Sequence, residues 1–248
     1  ILRRRELPHL GPTGPLDARA LRAGVAVARG SYDWLALAPV AARLRAQAAP
    51  SVVVGAGDSA GASPLVSTLF LDEPAVEALN RIGLEFNSVG NHEFDKGAAE
   101  LLRLQNGGCK AGEANSCRGA SAGTPVPFEG AKFRWLAANV IDQASGETLL
   151  PAYGIKTFDG ISVAFVGVTL KGTPTIVTPS GVRGLEFRDE ADTVNRLVPE
   201  LKARGIEAIV LLIHEGGVQR GSQPDINGCE GRLAGSGHQG HSEQVRIS

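Results

Sequence analysis

The stretch Ser88-Val89-Gly90-Asn91-His92-Glu93-Phe94-Asp95-Lys96-Gly97 decides how the rest of the chain is read. An apolar run precedes it and a helix-like pattern follows, so it reads as a loop leaving the end of a strand. Asn91 can offer a carbonyl oxygen to a hard divalent cation. His92 can carry a proton or face a developing negative charge, and Asp95, three residues on, can hold the imidazole by its other nitrogen. Metal-assisted hydrolysis needs these groups together. The plain structural alternative makes Asn91 the N-cap of a short helix with Glu93 in its first turn. For Asn-His-Glu alone that alternative is the stronger reading, and the balance shifts only with what stands at neighbouring strand ends.

Outward from this loop, Ser51 to Ala56 is a β-branched run that reads as a buried strand. It leads straight into Gly57-Asp58-Ser59-Ala60-Gly61. Glu85 to Val89 is a short strand delivering the Asn91 loop, and Gly97 to Leu104 a helix leaving it. Glu207 to Ile213 is another buried strand, ending at His214-Glu215-Gly216-Gly217. Ligands of open α/β sheets bind outside the carboxyl ends of strands, so Asp58, Asn91-His92 and His214 can converge. Asp58, between glycines that allow close backbone approach, suits a carboxylate bridging two cations; its plain reading is a turn Asp. His214 alone reads more readily as a satisfied structural group than as a ligand.

The remaining pattern supplies layers around these strands. Helical spacing covers 34 to 48, 65 to 70 and 74 to 82, with Pro74 suited to a first turn. Residues 105 to 130 form a Gly-rich loop section. Phe133 to Val140, Tyr153 to Phe158 and Ser162 to Val168 read as strands, the last two joined by a hairpin at Asp159-Gly160. Asp189 to Arg204 is an amphipathic helix with Val194, Leu197, Val198 and Leu201 on its apolar face and Gly205 as its stop. Strands alternating with helices predict an α/β layered fold. The chain has 248 residues, enough for one large domain, and 43% hydrophobic with 21% charged residues excludes a disordered polymer. A net charge of −1 gives no basic field for nucleic acid, and no apolar run approaches the roughly 20 residues of a membrane span.

Together these blocks resemble the calcineurin-like metallophosphatases, specifically their 5'-nucleotidase branch. Gly57-Asp58-x-x-Gly61, Gly90-Asn91-His92-Glu93 and the strand-terminal His214 match that family's second, third and fourth metal-site blocks. Phe94-Asp95-Lys96-Gly97 points to the nucleotidase branch, and Gly61-Ala62-Ser63-Pro64, Ala137-Ala138-Asn139-Val140 and Val166-Gly167-Val168-Thr169 look similar to it too. The resemblance covers roughly residues 50 to 231. It implies a four-layer α/β/β/α sandwich carrying two divalent cations, with zinc, manganese, cobalt, magnesium and calcium all open. Asp58 would bridge both metals, and Asn91 and His214 would bind the second. His92 would stabilise or protonate the leaving oxygen, oriented by Asp95, while a metal-bound hydroxide attacks phosphorus in line. The implied substrates are nucleoside 5'-phosphates, in nucleotide catabolism. Alternatives on the same site are a cyclic-nucleotide phosphodiesterase, a nucleotide-sugar hydrolase, or an inactive fragment.

The ends depart from the family pattern. Its first block, Asp-x-His, is absent: His9 has Leu7 two places before it, and Asp17 and Asp33 are followed by Arg19 and Leu35. Gly237-His238-Gln239-Gly240-His241 mimics the last block, Gly-His-x-His, with one residue too many. The expectation is a poorly matching segment at 1–30, a partial catalytic domain at 31–231, and an unstructured or out-of-frame tail at 232–248. The C-terminal nucleotide-binding domain of this branch is expected to be missing. As written, the chain keeps ligands for the second metal and loses those of the first.

Cys109 and Cys117 sit close together in the Gly-rich section and make a reasonable disulfide loop in an oxidising compartment, with Cys229 left odd. That favours a periplasmic or extracellular setting.

Overall fold

The structure, a computed structural model, describes residues 34–48, 50–119 and 125–216. The first sheet is parallel throughout: β1 (Val54–Gly55), β2 (Phe86–Ser88) and β3 (Arg134–Leu136), in that order. Parallel neighbours need crossover connections. Helix α3 (Glu73–Ile82) supplies the first and α4 (Ala98–Asn106) the second. Ahead of them lie α1 (Trp34–Gln47) and the short α2 (Leu65–Thr68).

The second sheet is mixed. β5 (Tyr153–Phe158) and β6 (Ile161–Thr169) form an antiparallel hairpin, and β8 (Ala208–His214) joins β6 in parallel. Asp159 (φ 49°) and Gly160 (φ 86°) both take the left-handed region that a two-residue hairpin turn requires. Between β6 and β8 runs α5 (Glu190–Ala203), capped by the Asp189 carboxylate on the N–H groups of Ala191 and Asp192. A small antiparallel pair, β4 (Val140–Asp142) with β7 (Leu185–Phe187), lies apart from both sheets.

Side-chain alternation shows how the layers stack. In β6, Ala164, Val166 and Val168 pack with Ala191, Val194, Val198 and Leu201 of α5, while Phe165 turns the other way. There it meets Phe86, Leu136 and Leu212, its ring stacked on Phe86 at 5.0 Å. In β3, Trp135 belongs with Val76 and Leu79 of α3 and Leu101 and Leu104 of α4. The order is therefore helices, sheet, sheet, helix, a four-layer α/β/β/α arrangement.

Some boundaries differ from the pattern reading. The run Phe133 to Val140 is not one strand: β3 ends at Leu136 and β4 starts at Val140. Asn139, fully buried, holds the intervening corner by donating to the carbonyls of Thr169 and Arg188 and accepting from Thr169 N–H. Apolar character continues across that corner because both faces are covered, so periodicity could not show the break. Similarly, the helix expected over 65–70 ends at Thr68, and only Val54–Gly55 of the 51–56 run pairs as strand. The expected Asp-x-His region and the Gly237-to-His241 mimic lie outside the described residues, as does Cys229.

Candidate active site

The loops after β1 and β2 and the last residue of β8 meet above the carboxyl ends of both sheets. Two glycines make this possible. Gly57, at φ +92°, has no room for a side chain, since a Cβ would stand 2.6 Å from the N of Gly90. Gly90 in turn faces the backbone and carboxylate of Asp58. The two loops are back to back.

His214 joins the sheets. Its Nδ1 lies 2.8 Å from the carbonyl oxygen of Ala56, at the end of β1, and a carbonyl can only accept there. Nδ1 therefore carries the proton, and Nε2 is the nitrogen facing the site. That Nε2 lies 3.0 Å from Asp58 Oδ2 and 3.2 Å from Asn91 Oδ1. Asn91 makes no side-chain N-cap bond to the 3-10 turn His92–Phe94 that follows it. The plain capping reading thus fails for Asn91: its oxygen faces His214 instead.

A carboxylate oxygen, an amide oxygen and an imidazole nitrogen converging this closely repel one another unless positive charge lies among them. A proton on Nε2 supplies it in the metal-free chain. A divalent cation fits the same donors, because carboxylate, amide oxygen and neutral imidazole are all cation ligands. Among the described residues no group of three or more His, Cys, Asp or Glu side chains forms a metal cluster. The donors brought together here are one carboxylate, one amide oxygen and one imidazole.

The charges follow from this geometry. Burial alone raises the Asp58 carboxyl, but the hydrogen bond and charge of His214, with the N–H of His92, outweigh it and hold the carboxyl below its ordinary range. Burial alone lowers His214, yet Asp58 and the Ala56 carbonyl more than offset it and hold the imidazolium above its ordinary value.

His92 and Asp95 form a pair at the rim, with Nδ1 2.8 Å from Asp95 Oδ2 and both side chains about a third exposed. Asp58 Oδ1 accepts from the His92 N–H at 3.1 Å, so the pair is registered against the loop after β1. The structure thus brings Asp58, Asn91 and His214 together and sets His92 with Asp95 beside them.

Other residues around this site were given no catalytic or metal-ligand role in the sequence reading. Glu93, 5% exposed, accepts main-chain N–H groups from Asp58, Ser59, Ala60 and Gly90. Burial, then the Asp58 charge, push its carboxyl up against the pull of those N–H groups. Asn87 accepts from Gly57 N–H, and Asp72, buried and at φ 62°, accepts from Gly61 N–H and from Lys96. A polar Asn inside a strand was the one available signal for Asn87. Nothing in the sequence marks Glu93 as buried.

Cys109 and Cys117 are disulfide-bonded, with Cα atoms 5.5 Å apart. The loop they close is anchored on Glu73, which accepts from Ser116 Oγ and Cys117 N–H and pairs with Arg103.

No family model matches the chain. Endonuclease YhcR of Bacillus subtilis is 40% identical over 178 residues, 72% of this chain and 14% of that protein. A 5'-nucleotidase of Vibrio cholerae is 28% identical over 181 residues, 73% of this chain and 28% of that protein. The structure of Haemophilus influenzae NAD nucleotidase superposes with a TM-score of 0.57 at 27% identity, over 74% of this chain and 28% of that one. In sequence and in fold the chain is similar to the 5'-nucleotidase branch of the metallophosphoesterase superfamily. It spans less than a third of each of these three proteins.

Proposed function

We propose that this chain carries the metal-binding part of a hydrolase acting on phosphate monoesters of nucleosides. The observation behind it is the convergence of Asp58 Oδ2, Asn91 Oδ1 and His214 Nε2 within 3.0 to 3.2 Å, beside the His92–Asp95 pair. Asp58, Asn91 and His214 would hold a divalent cation, and the Ala56 carbonyl keeps the His214 lone pair on Nε2. Such a cation polarises phosphoryl oxygens and makes a water acidic enough to be a nucleophile near neutral pH. Asp95 holds His92 by Nδ1, which leaves Nε2 to carry a proton for the leaving ester oxygen. The two roles are separable: one group of residues binds the cation and the other handles the proton.

The 40% identity to a protein named an endonuclease favours phosphodiester cleavage as a second reading. Against it, the net charge of −1 supplies no general attraction for a polyanion. The nucleotidase and NAD nucleotidase relatives favour small nucleotides. The disulfide and a relative named a cell wall protein (Listeria monocytogenes, 32% identical) support an extracellular or periplasmic setting. No described helix is long and apolar enough to cross a membrane.

Phosphate release from adenosine 5'-monophosphate, compared with cleavage of bis(p-nitrophenyl) phosphate and single-stranded DNA, tests the reading. Manganese-dependent release from the monoester, lost on chelation, is expected. Faster cleavage of the diester or of DNA would transfer the assignment to the second reading.

A further inference from the structure

Main-chain N–H groups buried in a loop usually find carbonyls or water. The loop after β1 is built differently. Gly57 N–H is taken by Asn87 Oδ1 at 3.0 Å, Asp58 N–H by Glu93 Oε2 at 2.9 Å, and Gly61 N–H by Asp72 Oδ2 at 3.2 Å. Ser59 and Ala60 donate to Glu93 Oε1 at 2.5 and 3.2 Å. Every N–H from Gly57 to Gly61 thus ends on a side chain. Glu93 alone also reaches the second ligand loop, accepting from Gly90 N–H at 2.6 Å.

This arrangement has a use. Asp58 sits at φ 55°, in the left-handed region that is uncommon for non-glycine residues and that Asp enters more readily than most. Its two oxygens have different partners, Oδ1 the His92 N–H and Oδ2 the His214 ring. A small rotation of the loop would lose both. We propose that Glu93 is the positioning residue of the metal site: its buried carboxylate clamps the Asp58 loop to the Asn91 loop and fixes where the Asp58 oxygens point. This rests on the proposed role of Asp58 as a cation ligand. A carboxylate suits the task because it is acceptor-only, with about four lone-pair sites for four N–H donors. A glutamine would turn an NH₂ group toward N–H groups that need an acceptor.

The test uses the full chain, with NMR-detected amide exchange and calorimetric titration of manganese. In the metal-free wild type, the amides of Asp58, Ser59, Ala60 and Gly90 are expected to be protected. In Glu93→Gln that protection falls while β6 amides keep theirs, and manganese affinity drops about 10- to 100-fold, as for outer-shell supports of other metal sites. Glu93→Asp, which restores an acceptor-only group, recovers part of the affinity. Free exchange of those four amides in the wild type would overturn the clamp, and this arm needs no variant to fold. Unchanged affinity in Glu93→Gln would overturn it too. Asp58→Ala separates the two levels: if it binds manganese as the wild type does, the ligand assignment itself fails. If it loses binding while Glu93→Gln keeps it, only the clamp fails.

Discussion

In the function proposed above, His92 moves a proton without holding the cation. Its Nδ1 is taken by Asp95, and only its backbone N–H touches Asp58. His92→Ala should therefore lower turnover by about 10²- to 10⁴-fold, the usual range for a lost general acid, while manganese affinity changes little. Parallel loss of affinity and rate, measured by calorimetry and phosphate release, would make His92 a ligand instead. A second prediction concerns pH. The Asp58 carboxyl is held below its ordinary 3.8, so its stabilising share is present above that value and disappears as pH falls through the lowered pKa. His214 is held above its ordinary 6.5, so its share is present below that value and disappears as pH rises through the raised pKa. Thermal unfolding of the metal-free chain should show a plateau between these limits, and Asp58→Asn should flatten both shoulders. Residue types and spacing singled out Asp58, Asn91, His92, Asp95 and His214 in the sequence, and the structure brings these side chains close together. Glu93 was not legible, since its role depends on burial and on N–H groups that every residue possesses.

Among the elements, the meeting of the loops after β1 and β2 depends on how closely two sheets approach. Phe165 of β6 stacks on Phe86 of β2, and Gly154 of β5 leaves space for the Phe86 ring. Phe86→Ala should cost about 3–5 kcal/mol, the range for deleting a buried aromatic side chain. Denaturant unfolding would measure it, and a loss under about 1 kcal/mol would contradict this account of the inter-sheet layer. The elements themselves were mostly readable. β-branched runs, the Asp159-Gly160 turn and the apolar face of α5 each produce a local signal with a known period. The split between β3 and β4 did not show, because Asn139 makes that corner through contacts with Thr169 and Arg188, distant in sequence.

For the whole molecule, the disulfide loop and the site share a base. Glu73 receives the loop through Ser116 and Cys117, and the adjacent Asp72 receives Gly61 and Lys96. Replacing both Cys109 and Cys117 by serine should lower stability by about 2–4 kcal/mol, a typical value for a native disulfide. An unchanged denaturation midpoint would show that the Glu73 network holds the loop unaided. The layered architecture was foreseeable from alternating strands and helices, whereas the coupling of loop to site depends on side chains meeting across layers. The central claim is that Asp58, Asn91 and His214 together bind a divalent cation. Calorimetric titration of manganese into the metal-free chain and into its Asp58→Ala variant tests it most directly. A saturable site in the wild type that is lost in the variant is the predicted result; the same isotherm for both would contradict it.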